Sequence, residues 1–496
     1  MTVATLYCRA QVGISAPAVI IEVFLSGGLP GFSIVGMPET TVRESKDRVR
    51  GALISCGFRF PQERITVSLA PADMRKQGGR YDLPIALGIL IASRQLSTER
   101  HLHGEFYGEL ALSGELRPVQ GLLCAGMAAA RQERELIVPA DNASETSLSG
   151  AEVYSAAHLL EVTAHLKGDS ELPRCYESDT PDCSNALPDL SEVFGQRQAK
   201  RALEIAAAGG HNLLFSGPPG TGKTMLARRL PSLLPPLSKS EALETASVYS
   251  VSGQVSNGLL THRPFRAPHH TASAVALAGG GSPPRPGEIS RAHNGVLFLD
   301  ELPEFNRQVL EVLREPLESG NISIARATYH VEFPASLQLV AAMNPCPCGF
   351  LGDEMVSCRC SAERVQQYRS RISGPLLDRI DLHVPVRRQA LLATRQGQPD
   401  HESSETVAAR VASALETARQ RQGSKNCSLG VERLQEVCEL GSAEWSLLET
   451  ATEKLALSTR SAYRILKVAR TIADLKQSRR VSSKHLGEAL SFRQAW

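Results

Sequence analysis

The sequence predicts an α/β multidomain chain built around a nucleotide-binding parallel sheet. Three observations carry that expectation. A glycine-rich loop sits between an apolar run and a helix-compatible run, a second buried-strand pattern ends in two acids, and the last hundred residues read as helical throughout.

The loop is Gly217-Pro218-Pro219-Gly220-Thr221-Gly222-Lys223-Thr224, which fits G-x-x-x-x-G-K-[ST] at every fixed position. It follows Leu213-Leu214-Phe215 and precedes Met225 to Leu230, the strand–loop–helix setting that a phosphate cradle needs. Its glycines let successive N–H groups turn inward on phosphate oxygens, and the helix start adds partial positive charge. Lys223 is expected to reach the β- and γ-phosphates of ATP and Thr224 to hold Mg²⁺. The nucleotide contacts expected are therefore Gly217 through Met225, with Gly195 and Gln196, which precede the first helix of this region, lining the adenine pocket.

The second pattern is Gly295-Val-Leu-Phe-Leu-Asp300-Glu301. Strands of a parallel sheet covered on both faces read as continuous apolar runs, and ligands bind at their carboxyl ends. That puts Asp300 in the Mg²⁺ shell and Glu301 where it can deprotonate the attacking water. Leu337 to Met343 is a further buried strand, ending at Asn344, whose amide is suited to hold the nucleophilic water or the γ-phosphate. Phosphoryl transfer commonly needs an arginine besides the loop lysine. Arg379, in Ser373-Gly-Pro-Leu-Leu-Asp-Arg379-Ile-Asp381, fits that role, reaching into a neighbouring subunit. Arg460, just after the helix cap Ser458-Thr459, is placed as a nucleotide sensor. A surface salt bridge is the competing explanation for each arginine.

Composition bounds the rest. The chain has 496 residues, enough for about two to four domains. A net charge of +2 announces no global basic field, so a nucleic-acid surface would have to be local. No run approaches a transmembrane span, and Ala18 to Leu25 carries Glu22 and lacks the flanks of a signal peptide, so a cytoplasmic chain without membrane contact is expected. Eleven cysteines in that setting read as thiols or metal ligands.

Four regions follow. Residues 1–167 mix strands (Val19–Leu25, Arg64–Leu69) with helices (Glu39–Ser55, Leu83–Ser93), an α+β domain. Residues 168–188 are polar and Pro/Ser/Asp-rich, an exposed linker in which Cys175 and Cys183 are bland. Residues 189–390 alternate strands and helices around the loop. In 391–496, Val407, Val411, Leu415 and Ala418 recur at helical spacing, and Ser458-Thr459 and Ser482-Ser483 read as N-caps.

The cysteines Cys346-Pro-Cys348 and Cys358-Arg-Cys360 form two C-x-C pairs with residues 349–357 between them. Four thiolates so close suggest tetrahedral Zn²⁺, with inert thiols or a redox pair as the alternatives.

GPPGTGKT, VLFLDE, MNP and SGPLLDRID stand in the order of an AAA+ ATPase of the magnesium-chelatase type, which residues 189–496 resemble. With Arg263-Pro-Phe-Arg266-Ala-Pro-His269-His270-Thr-Ala-Ser and the first 167 residues included, the whole chain resembles the YifB/ComM proteins. The resemblance implies an ATP-driven hexameric ring with an N-terminal Lon-protease-like domain and a C-terminal helical lid. It also implies an association with branch migration of DNA during natural transformation. In this clade an insertion in helix 2, around Tyr249 to Gly281, is expected to point at the ring pore and to carry Arg263, Arg266, His269 and His270. A pore hairpin is expected over Asn321 to Phe333, with Arg326 on phosphate and Tyr329 stacked on a base. Bonding of these Arg and His residues to carbonyls within a loop is the alternative.

Tyr107 to Gly121 is similar to the Lon stretch leading to the catalytic lysine, yet Leu123 occupies the lysine position. Gly78 to Ala86 resembles the nucleophile region without a serine. A Ser–Lys dyad needs both members, so no peptidase activity is expected. Asp82 and Lys76 could serve an unrelated site, a structural or partner-binding role for the domain being the stronger expectation. The leading function is a DNA-translocating ATPase, a helicase acting in branch migration or recombination. An ATP-driven protein remodeller and a metal-chelatase motor subunit are the alternatives. No aromatic–hydrophobic–Gly pore loop lies between Lys239 and Arg291, where Tyr249-Ser-Val-Ser comes nearest, and that favours DNA over protein.

Overall fold

The computed structural model describes residues 3–97, 103–176, 187–254, 258–326, 329–389, 402–455 and 457–493, with only the backbone of Arg326 and Tyr329. It divides into two units, Met1–Cys183 with Ser238–Thr261, and Ser184–Leu237 with His262–Trp496.

The first unit holds a mixed eight-stranded sheet. It contains the long antiparallel pair Val3–Arg9 and Ala18–Ser26, in register from Val3↔Phe24 to Arg9↔Ala18. Both strands bury alternate residues, as a sheet covered on one face requires (Ala4, Leu6 and Cys8; Val19, Ile21 and Val23). The helix Asp82–Ala92 covers that face and is buried along almost its whole length. Asp82 is not free for a site: its carboxylate takes Arg48 at 2.6 Å and the Leu110 N–H at 3.2 Å. Lys76 is buried and spends its ammonium on the Pro71 carbonyl. Both therefore brace the fold, and Leu123 is buried in the helix Leu122–Ala130.

Two sequence boundaries shift. Within the expected linker, Arg174–Cys175 pairs antiparallel with Val153 and Tyr154 at the edge of the sheet; Cys183 lies outside the described residues. The start of the helix-2 insertion, expected in the ATPase domain, clusters with the first unit. The helix Lys239–Val251 begins in a full capping box at Ser238 and Glu241. It sets Leu243 and Ala246 against Leu123, Met127 and Leu148. Tyr249 sits inside this helix and not on a free loop tip.

The second unit is built on a five-stranded sheet in the order Phe265–Arg266, Val296–Leu299, Gln338–Met343, Leu213–Ser216, Leu382–Pro385, with every neighbouring pair parallel. Leu213–Phe215, Val296–Leu299 and Gln338–Met343 are buried throughout, which is why they read as unbroken apolar runs. Among the described residues of the C-terminal region the helices are Ser404–Gln422, Val431–Cys438, Ser442–Lys454, Thr459–Leu475 and Ser483–Ser491. Val407, Val411, Leu415 and Ala418 form the buried face of the first. The side chain of Ser458 accepts the Ser461 N–H, and Ser482 closes a capping box with His485.

A polar network fastens these helices to the sheet. Asp381 receives Arg464 at 2.8 Å and the Asn212 N–H at 3.0 Å, with His211 Nδ1 at 3.6 Å. Burial pushes the Asp381 carboxyl up, but these partners outweigh it and hold the pKa below the usual carboxylate range. His383, two residues on, is lowered to about 4, by burial first and by Arg493 next. The folded state thus keeps His383 neutral while the unfolded chain protonates near pH 6.5, so stability falls as pH drops from about 6.5 to 4. Between pH 7 and pH 5 the loss from this group is about 2 kcal/mol. The urea midpoint of this unit should fall over that interval, and His383→Gln should remove most of the pH dependence; an unchanged slope in the variant would dismiss His383 as its source.

Candidate functional site

The carboxyl ends of three adjacent strands converge. Gly217 follows Ser216, Asp300 follows Leu299 and Asn344 follows Met343, and the Gly217 N–H reaches the Met343 carbonyl at 3.2 Å. Gly217 cannot be replaced without shifting backbone, because a Cβ there would lie 2.1 Å from the Val386 oxygen. Gly220 and Gly222 stand at φ +76° and +86°, open to glycine at no cost. Thr221 Oγ1 donates to the Pro218 carbonyl at 2.9 Å and stiffens the loop.

Lys223 is buried, with Nζ donating to the carbonyls of Gly217 (2.7 Å) and Pro218 (2.9 Å) and to Asn344 Oδ1 (3.1 Å). Three acceptors match the three ammonium protons, and phosphate oxygens can take their place. Burial lowers the lysine pKa, and Asp300 and Glu301 oppose that. Thr224 Oγ1 donates to Asp300 Oδ2 at 2.6 Å, a pair of oxygens suited to a hard divalent cation such as Mg²⁺. The side chain of Met225, one residue further along the helix, is half exposed.

Glu301 is in the left-handed region, at φ +53°, and its N–H donates to Asp300 Oδ1 at 2.9 Å. Such a conformation in a non-glycine residue costs on the order of 1–3 kcal/mol and is characteristic of functional sites. The carboxylate meets His270, whose Nδ1 lies 3.1 Å from Glu301 Oε2. Gln196 closes the other side. It too is left-handed, beside Gly195 at φ +60°, and its Nε2 donates to the Arg387 carbonyl at 2.7 Å and to the Thr221 carbonyl at 3.5 Å.

The residues expected on DNA separate into three groups. Arg263 is buried, donating to the carbonyls of Pro235 (2.9 Å) and Asn294 (2.8 Å), and Arg266 is bidentate to Glu288 at 2.7 and 2.9 Å. Both cations brace the turn around the edge strand through these partners, the arrangement that the alternative of bonding within the chain describes. His270 belongs to the nucleotide cleft through Glu301, and His269 packs on the His270 ring at 4.1 Å, with Nδ1 2.9 Å from Thr271 Oγ1. Arg326 and Tyr329 face each other across the hairpin of Asn321–Arg326 and Tyr329–Pro334, while their side chains lie outside the described residues.

Arg379 is buried and engaged within its own chain, on the Pro375 carbonyl (2.7 Å) and on the Glu318 carboxylate. Arg460 is exposed on the first turn of Thr459–Leu475, one turn before Arg464, which holds Asp381. Sequence reasoning placed His270 on DNA and not beside Glu301, and it did not single out Arg464 or His211. A histidine near a glycine-rich stretch carries no local sign of which carboxylate it will meet.

The cysteine cluster lies beside the cleft. The Sγ atoms of Cys346, Cys348, Cys358 and Cys360 are all within 4.8 Å of one another, and the set can hold a metal ion.

The parallel sheet, the loop at its carboxyl edge and the acidic strand end define a P-loop nucleotide-binding core of the AAA+ kind. Residues 189–393 match the family model described as magnesium chelatase, subunit ChlI, residues 21–142 match subunit ChlI of Mg-chelatase, and residues 401–493 match its C-terminal model. Competence protein ComM of Haemophilus influenzae is 51% identical over 506 residues, covering 99% of this chain and 98% of its own. YifB of Salmonella typhimurium is 48% identical over 498 residues, 99% and 97% of the two chains. The magnesium-chelatase 38 kDa subunit of Cereibacter sphaeroides is 28% identical over 177 residues, 32% of this chain and 52% of that subunit. The chain belongs to the YifB/ComM family of magnesium-chelatase-type AAA+ proteins, a family that points to ATP and Mg²⁺ as its ligands and to ATPase activity. No helix among the described residues is long and apolar enough to cross a membrane.

Proposed function

We propose that this protein hydrolyses ATP at a site shared by neighbouring copies in a hexameric ring, and uses the energy to translocate on DNA. The work would be a helicase's, promoting branch migration during natural transformation or recombination. The observation that carries the ATPase reading is that the start of one helix puts Lys223 on Asn344 and Thr224 on Asp300, two hydrogen-bonded pairs at the carboxyl ends of neighbouring strands. In that reading Lys223 exchanges its carbonyls for the β- and γ-phosphates. Thr224 and Asp300 hold Mg²⁺, which neutralises phosphate charge. Glu301 takes the proton of the attacking water, and Asn344 orients that water or the γ-phosphate. Arg379 supplies charge to a neighbour's nucleotide, which requires its Glu318 pair to open, and Arg460 senses the γ-phosphate.

The DNA reading is supported by the 51% identical relative, whose name makes it a competence protein. With Arg263 and Arg266 held internally, the hairpin tip around Arg326 and Tyr329 becomes the leading contact with a strand. The first unit is proposed to be a Lon-like fold without a dyad that binds a partner in the cytoplasm. The test is the ATPase rate with and without single-stranded, duplex and branched DNA. DNA should stimulate it, and the stimulation should decline steeply with salt, because phosphate contacts release counterions. A rate indifferent to every DNA at low salt would remove DNA as the track.

A further inference from the structure

Three of the four clustered thiols are mutually close: Cys346–Cys348 at 3.4 Å, Cys346–Cys358 at 3.6 Å and Cys348–Cys358 at 3.6 Å. A disulfide needs about 2.05 Å. Pairwise bonding also cannot satisfy three sulfurs that all touch. Four thiolates at about 2.3 Å from one zinc ion stand about 3.8 Å apart, close to the spacing seen.

The backbone is shaped for such an ion. Cys346-Pro-Cys348-Gly349 is a tight turn: Gly349 stands at φ +85° and its N–H returns to the Cys346 carbonyl at 2.9 Å. The Cys360 N–H points at Cys358 Sγ, 3.4 Å away, the kind of donor that supports a ligating thiolate. Between the pairs, Asp353 Oδ1 accepts the N–H groups of Met355 and Val356, and Asp353 Oδ2 lies 3.0 Å from Arg388. Cys346 is fully buried and the other three are half-buried.

The cluster also leans on the nucleotide site. It begins two residues after Asn344, which receives Lys223. Gly349 lies so close to the loop that a Cβ would stand 2.7 Å from Pro219 Cδ and 3.8 Å from Asn344 Cγ. We infer that Cys346, Cys348, Cys358 and Cys360 bind one Zn²⁺, and that this ion clips the Gly349 turn against Pro219 and Asn344, holding the phosphate loop in its binding geometry. The second half rests on the ATP site proposed above. Without the ion, four thiols in this space have nothing to draw them together, and the turn is released from the loop.

The full-length protein, purified without added metal, should contain one zinc per chain, with X-ray absorption showing four sulfur ligands at about 2.3 Å. The double variant Cys358→Ser, Cys360→Ser should lose the zinc and bind a fluorescent ATP analogue on the order of tenfold more weakly, about 1.4 kcal/mol. Should that variant fail to fold by circular dichroism, wild-type protein stripped by a chelator and returned to Mg²⁺ buffer gives the same comparison. Absence of zinc, or ligation by nitrogen and oxygen, overturns the site. Zinc bound by four sulfurs, with unchanged nucleotide affinity after its removal, overturns the clip alone. Zinc content is read independently of ATP, so a protein that binds zinc but no nucleotide refutes the ATPase reading and leaves the metal site standing.

Discussion

Glu301→Gln is expected to bind ATP normally and to lower turnover by about 10² to 10⁴-fold, the range for removal of a general base. The glutamine keeps the volume and one acceptor oxygen of the glutamate but cannot take a proton. The binding groups Lys223, Thr224 and Asp300 are untouched by the change, since Glu301 contacts Asp300 only through its own backbone N–H. The left-handed backbone at Glu301 is also unaffected, so the strained turn survives. The measurement is a steady-state ATPase assay beside nucleotide affinity. Near-normal turnover would remove Glu301 as the base, and weakened binding would show that its charge serves the nucleotide directly. His270 sharpens the expectation. Its Nδ1 stands 3.1 Å from the carboxylate, so the proposed base has a neighbour from outside the motif that supplies it.

That contact marks the boundary of what the sequence made legible. The phosphate loop could be read because its chemistry is contained in eight consecutive residues, and the sheet order places Asp300 and Asn344 beside it as parallel-sheet rules require. The cysteine set was legible for the same reason, two short pairs a few residues apart. Helix caps at Ser458 and Ser482 are local too. Less legible were the partners of single cations. Arg266 looked available for phosphate because Glu288 is 22 residues away, and only the fold brings the two into a bidentate pair. Arg263 is spent on two carbonyls, acceptors that every residue carries and no pattern reveals. The attachment of Lys239–Val251 to the first unit was hidden similarly. Its apolar face at Leu243 and Ala246 meets Leu123 and Leu148, and nothing in the sequence pairs these distant segments.

Arg379→Ala should abolish turnover to the extent that an arginine at the transferring phosphate governs it, on the order of 10³-fold or more. Its buried position within the chain makes this a demanding prediction. If Arg379 only anchors Ser373–Asp381 through Glu318 and Pro375, the variant is destabilised and no partner can restore it. If it serves a neighbouring nucleotide, mixing it with Lys223→Ala protein must recover activity. Lys223→Ala empties its own cleft but keeps a sound Arg379, while Arg379→Ala keeps a sound cleft. A ring of both forms intact sites wherever the cleft of one faces the arginine of the other, about one interface in four at equal mixing. The readout is the ATPase rate of mixed rings against the sum of the two variants assayed apart. Recovery requires that one catalytic site be assembled from two chains, because each variant alone lacks one half of it. Mixed rings no more active than their separate components, with both variants folded, would confine Arg379 to holding its own chain together.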